Sequence, residues 1–258
     1  SACLVGSEMC IRDSFVAEAA GQAGDANRAG DAGQGEDADR AETVVHPEGG
    51  GPLAPQPGRP RFRTLVAASL GPYGALLADG SEYRGDYDCH PGRLRDIHLP
   101  RLEALLAAGP DLLALETLPA LAEAELLLRL LEGFPGARAW LSFSCRDPRQ
   151  TSRGEPLARA AELAAASPQV LAVGVNCVPP AWVEPALDCL GAATRLPLVA
   201  YPNRGRRWDA AARAWGPLPR GPALARLAPR WRAAGARLIG GCCGVGPAQI
   251  RALRAALG

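Results

Sequence analysis

The chain has 258 residues, 48% hydrophobic and 21% charged, and its 28 basic and 27 acidic side chains leave a formal net charge of +1. So even a balance excludes the broad basic surface that nucleic acid or an anionic membrane would need, and no run of about 18 apolar residues offers a membrane span. No apolar secretory core is found near the start, and eight cysteines, unevenly spread, suit a reducing cytoplasm and a metal site better than a disulfide framework.

In chain order, residues 1–60 come first and differ from the rest. From about residue 17 onward they are dominated by Gly, Ala, Asp, Glu, Gln and Pro, with almost no bulky apolar side chain to offset ordering entropy. They are expected to form an atypical, largely disordered segment ahead of a barrel domain at residues 61–258, with SFVAEAAGQAG as a short frayed helix. The opening SACLVGSEMCIRDS lacks an initial Met and matches nothing that follows, so we expect it to be foreign to the native coding sequence.

From residue 61 a regular alternation begins. Six short apolar runs read as strands: TLVAASL, DLLALETL, RAWLSFS, VLAVGVNC, LPLVAYPN and RLIGGCC. Helical patterns follow them at residues 93–108, 120–131, 156–166, 180–190, 222–234 and 247–257, several opening with Pro, whose missing N–H is harmless in a first turn. Strands apolar on both faces and separated by helices predict a covered parallel sheet. The reading is α/β, a (β/α)8 TIM barrel that is incomplete, with six β-α units recognisable. A doubly wound open sheet competes, but chemistry-bearing residues at the ends of several strands favour the barrel.

The strand ends carry that chemistry. Cys177 closes GVNC, and Cys242 and Cys243 stand side by side in GGCCG, so a barrel brings three thiols to one rim. Zinc (Zn2+) takes thiolates at about 2.3 Å in tetrahedral geometry, and three sulfurs leave its fourth position open for water or substrate. Two other readings compete: free cysteines serving as small core hydrophobes, and GGCCGVGP as a phosphate cradle of the kind barrels carry after their last strands. Glu116 ends DLLALE, either on the rim beside the thiols or as a first-turn acid facing a helix dipole. Asn176, Tyr201 and Asn203 also sit at strand ends, as partners of the site or as turn residues. His46, His90 and His98 have no motif around them and read as surface residues.

The combination of SLGPYGALLADGSEYRGDY, LALETLP, GVNC, YPN followed by WD, and GGCCG, in that order, resembles the homocysteine S-methyltransferase family, in its S-methylmethionine or S-adenosylmethionine dependent branch. The resemblance covers residues 64–258. It implies zinc on Cys177, Cys242 and Cys243, with the homocysteine thiol as fourth ligand, and Glu116 as the group that holds the homocysteine ammonium. It also implies methyl transfer from a sulfonium donor to L-homocysteine, giving methionine. The loop at residues 69–87 lies over the barrel in such proteins, where Tyr83 or Tyr87 would meet the donor cation through a ring face.

Two departures stand out. Arg204-Gly205-Arg206 follows YPN where the family has Ser-Gly-Glu, and the family's opening Asp-Gly-Gly or Asp-Gly-Ala strand end is not found before residue 64. A barrel without its first two strands would leave both neighbouring strand edges unpaired and apolar surface exposed. A non-catalytic truncated barrel remnant that at most binds zinc is therefore the alternative function. The partners implied are small molecules, homocysteine and a methyl donor, with neither nucleic acid nor membrane, and nothing in the residues specifies an oligomer.

Overall fold

A computed structural model of the chain describes residues 14–17, 65–87, 89–204, 208–209, 214–215 and 223–258. The strands, in chain order, are β1 (Ser14–Ala17), β2 (Ala67–Leu70), β3 (Leu112–Leu118), β4 (Ala139–Phe143), β5 (Cys145–Asp147), β6 (Gln150–Thr151), β7 (Val170–Asn176), β8 (Leu198–Tyr201), β9 (Trp208–Asp209), β10 (Ala214–Trp215) and β11 (Ala236–Gly241). The helices are α1 (Tyr73–Leu77), α2 (Pro91–Ala107), α3 (Leu121–Leu131), α4 (Leu157–Ala165), α5 (Pro180–Gly191), α6 (Leu224–Ala233) and α7 (Pro247–Leu257), and a single 3-10 turn covers Ser81–Tyr83.

One sheet dominates, in the order β1-β11-β8-β7-β4-β3-β2, while β5-β6 and β9-β10 are separate antiparallel pairs. Its parallel members β2, β3, β4, β7, β8 and β11 adjoin in strict sequence order. That order decides between the two α/β architectures. A doubly wound sheet reverses direction at a switch point, whereas right-handed crossovers that all step the same way lay every helix on one face and leave the other to curl inward. The result is a curled half-barrel of six parallel strands, an incomplete TIM barrel.

Strand alternation separates the two faces. Leu113, Leu115, Leu141, Phe143, Val173, Val175, Leu198 and Ala200 pack outward with helix residues such as Leu127, Leu187 and Trp231. Ala114, Trp140, Ala172, Val199 and Tyr201 point inward, in one cluster with Cys177, Cys242 and Cys243. The inner face is tight where β7 meets β8: a Cβ on Gly174 would stand 1.6 Å from the Val199 carbonyl oxygen. Gly174→Ala is therefore expected to lower unfolding free energy by about 1–3 kcal/mol or more through overpacking, read as a lower urea midpoint at unchanged slope.

One edge departs from expectation. Ser14–Ala17, expected within a frayed helix, forms a strand antiparallel to β11, with Ser14 opposite Gly241 and Ala17 opposite Leu238. An unpaired strand edge is a template of free N–H and C=O groups, and Phe15 and Val16 are residue types that suit it. The β11 edge, expected to be bare, is thus paired. On the other side, Leu65 and Val66 ahead of β2 are 56% and 62% exposed. The remaining residues of 1–60 lie outside the described residues.

Candidate metal centre

The C-terminal ends of β7 and β11 carry the three thiols. Cys177 follows Asn176 with φ 53°, a left-handed conformation that turns the chain sharply out of the sheet. After β11 the chain folds back at once, and a Cβ on Gly241 would come within 2.2 Å of the Val245 side chain. Glycine there allows the turn that brings Cys242 and Cys243 to the same side. Cys242 N–H donates to Pro202 O and Arg204 N–H donates to Cys243 O, both at 2.9 Å, so the YPN segment latches the pair. Asn203 holds the other ligand strand, its side-chain amide donating to Cys177 O at 3.3 Å.

The sulfurs lie 2.8 Å (Cys177–Cys242), 3.3 Å (Cys177–Cys243) and 3.8 Å (Cys242–Cys243) apart, all buried. A tetrahedral zinc with Zn–S bonds of about 2.3 Å places its sulfurs about 3.8 Å apart. Among the described residues this is the one group of three His, Cys, Asp or Glu side chains whose ligating atoms gather within 4.8 Å. Hydrogen bonds from Cys177 and then Cys243, followed by burial, push the Cys242 pKa well above the usual thiol value. At Cys177 the Cys242 contact pulls the pKa down, but the Cys243 contact and burial outweigh it and it also rises. Three buried sulfurs so close share protons rather than charge, and a divalent cation among them reverses that preference. The donor set fits zinc. The cradle reading of GGCCGVGP fares less well, because both its cysteines turn into the thiol cluster.

Glu116 lies two residues beyond Ala114 on β3, on the inner face, and is 1% exposed. Tyr201 O–H donates to its Oε2 at 2.8 Å, and Ser69 Oγ donates to Oε1. Tyr201 is oriented in turn: its oxygen accepts from Trp140 Nε1–H at 3.0 Å and contacts Ser142 Oγ. Beside it, Thr117 adopts φ 59°, unusual for a β-branched residue. Asn176 holds that strained end, accepting from Thr117 N–H at 2.8 Å and donating to Thr117 Oγ1 at 2.7 Å. Asn176 and Tyr201 thus tie the ends of β3, β7 and β8 together around the thiols.

Of Tyr83 and Tyr87, only Tyr83 reaches the cluster. Its hydroxyl donates to Cys177 Sγ at 3.6 Å, and burial first, then the nearby thiols, raise its pKa. Tyr87 turns away to Glu123, against the edge of Tyr73. The same carboxylate accepts from Tyr73 N–H and contacts His98 Nε2, both at 2.7 Å. His98, expected at the surface, is 0% exposed. Its helix packs on α3, and Glu123 gives the imidazole the partner that burial requires. His90 is exposed and caps α2 by accepting from Gly92 N–H at 3.1 Å. His46 and Gly205-Arg206 lie outside the described residues.

Sequence reading missed Ser69, Trp140 and Ser142 around Glu116. The signal existed in part: Trp140 and Ser142 share the inward parity of β4. It also missed Glu82, which is buried in the turn before Tyr83.

A family model described as Homocysteine S-methyltransferase matches residues 14–257. The homocysteine S-methyltransferase of Escherichia coli is 53% identical over 194 residues, 74% of this chain and 62% of that protein. The homocysteine S-methyltransferase YbgG of Bacillus subtilis is 42% identical over 195 residues, 76% and 62% of the two chains. Among solved structures, the metallated form of the homocysteine methyltransferase MmuM from Escherichia coli superposes with a TM-score of 0.66 at 51% identity, covering 74% of this chain and 60% of that one. The chain thus spans about three fifths of the length of the relatives it matches.

Proposed function

Because this chain belongs to the homocysteine S-methyltransferase family, we propose that it transfers a methyl group from a sulfonium donor to the thiol of L-homocysteine, giving methionine. The observation that carries the proposal is the set of three buried thiols, no more than 3.8 Å apart, on the same inner face as Glu116. Cys177, Cys242 and Cys243 would hold zinc, which when bound supplies an open position that keeps a substrate thiol deprotonated and nucleophilic.

The chain's own groups do the rest. Glu116, with both oxygens fixed by hydroxyl donors, accepts the α-ammonium of homocysteine. Tyr83 donates to Cys177 and so fixes the orientation of one ligand sulfur. Asn176 and Asn203 hold the strand ends that carry the ligands. The substrate sulfur attacks the methyl carbon of the donor as the bond to the sulfonium sulfur breaks, and the donor leaves as a neutral thioether. Anion and cation cancel as the transition state forms, a change that a buried site favours.

We further read residues 61–258 as the homocysteine-binding unit. We also propose that the protein works in a reducing cytoplasm and that its product joins methionine biosynthesis, a reading that the free thiols among the described residues support. No helix among the described residues is long and apolar enough to cross a membrane.

With homocysteine as acceptor, S-methylmethionine is expected to be used well, S-adenosylmethionine less well, and betaine or methyl-folate not at all, assayed as methionine formed. Comparable turnover with betaine would overturn the donor class. Zinc retained with no turnover from any donor would favour a metal-binding role without catalysis.

A further inference from the structure

Glu82 is 4% exposed, and its Oε2 has no hydrogen-bond partner among the described residues. An acceptor buried without a partner is costly, and a carboxylate more so. The backbone leaves the residue little freedom. Its turn is closed by Gly85 N–H donating to Ser81 O at 2.7 Å, and Ser144 Oγ donates to Glu82 O at 2.9 Å from the end of β4. Below the turn, a Cβ on Gly74 would come within 2.6 Å of Glu82 N. The next residue, Tyr83, reaches Cys177. One turn therefore carries both the hydroxyl that reaches the thiol cluster and a buried carboxyl with one oxygen that has no partner among the described residues. Burial raises the Glu82 pKa, as do Asp79 and Cys177 nearby, against its own backbone N–H and Arg84, which lower it. An incoming cation would relieve that same penalty.

We propose that Glu82 accepts a hydrogen bond from the α-ammonium of the methyl donor, making it the residue that selects an amino-acid sulfonium. This rests on the reading of the chain as a sulfonium-dependent homocysteine methyltransferase. Two amino-acid substrates bring two ammonium groups, and the site has two buried carboxyls on separate elements. Glu116 is tied to the barrel wall through Ser69 and Tyr201, whereas Glu82 belongs to the loop on the Tyr83 side of Cys177. An orphan acceptor needs an N–H. A bare sulfonium or a quaternary ammonium satisfies its charge but not its lone pair, so a site of this kind discriminates against both.

Calorimetric titration of the full chain compares S-methylmethionine with 4-(dimethylsulfonio)butanoate, which keeps the sulfonium and the carboxylate at the same spacing but lacks the ammonium. The wild-type chain is expected to prefer S-methylmethionine by roughly ten- to a hundredfold. Glu82→Gln, of the same shape, should lose that preference while its KM for homocysteine stays unchanged and its melting temperature does not fall. No preference in the wild type overturns the proposal without any variant, and so does a preference that survives Glu82→Gln or a weakening confined to homocysteine. Each of those results leaves the methyltransferase reading standing. A wild-type chain that binds neither sulfonium overturns both.

Discussion

Replacing Cys242 and Cys243 together by alanine is expected to take bound zinc from about one per chain to nearly none and to lower methionine formation by roughly three orders of magnitude. Both effects follow from the geometry at the end of β11, where the two sulfurs stand 3.8 Å apart and each lies close to Cys177. A single remaining thiol cannot hold the ion against water, so the metal leaves. Free homocysteine, with a thiol pKa near the usual value of about 8.5, is then only a few per cent thiolate at neutral pH. It is also no longer held in line with the donor methyl, and positioning is worth further orders of magnitude. Elemental analysis and methionine assay on the same preparations check both halves. Because an ion that binds only the folded chain stabilises it, a chelator should lower the melting temperature of the wild type and leave the double variant unmoved. Full zinc in the double variant would remove these cysteines from the metal centre.

The repeating architecture was open to reading because the inner parallel strands β3, β4 and β8 are buried on both faces, which makes each a continuous apolar run such as LLALETL or LVAY. The thiols were visible for a different reason. Cysteine is rare, and its position at the end of each run places it on the rim whichever strands lie between. What escaped notice depends on contacts far apart in sequence. Ser69 meets Glu116 across 47 residues, and Trp140 and Ser142 meet Tyr201 across 61 and 59. Serine in a strand has no signature until its neighbour is known. His98 was misplaced for the same reason: its partner Glu123 sits on the following helix, and a histidine in a polar helical stretch looks exposed until α2 docks on α3. Ser14–Ala17 shows tertiary context overriding local pattern, since the edge of β11 supplies hydrogen bonds that the segment's own sequence does not announce.

Glu116→Gln is expected to raise the KM for homocysteine and lower kcat/KM by roughly two to three orders of magnitude, because it strands a buried ammonium without its counter-charge. The donor KM should stay within twofold, the reverse of the pattern expected for Glu82→Gln. Glutamine keeps the shape and one acceptor oxygen. Ser69 and Tyr201, which now donate to the two carboxylate oxygens, are hydroxyls that can rotate, and Tyr201 has Ser142 beside it as a second partner. The loss of stability should therefore stay near about 1 kcal/mol, the net worth of one hydrogen bond. The helix-dipole alternative makes the opposite claim: an acid serving only the turn before α3 would change melting when replaced and leave the homocysteine KM alone. Steady-state kinetics with each substrate varied in turn, alongside a denaturant titration, separate the two. An unchanged homocysteine KM with a lowered melting temperature would make Glu116 a structural residue of β3 and leave the acceptor ammonium to another group.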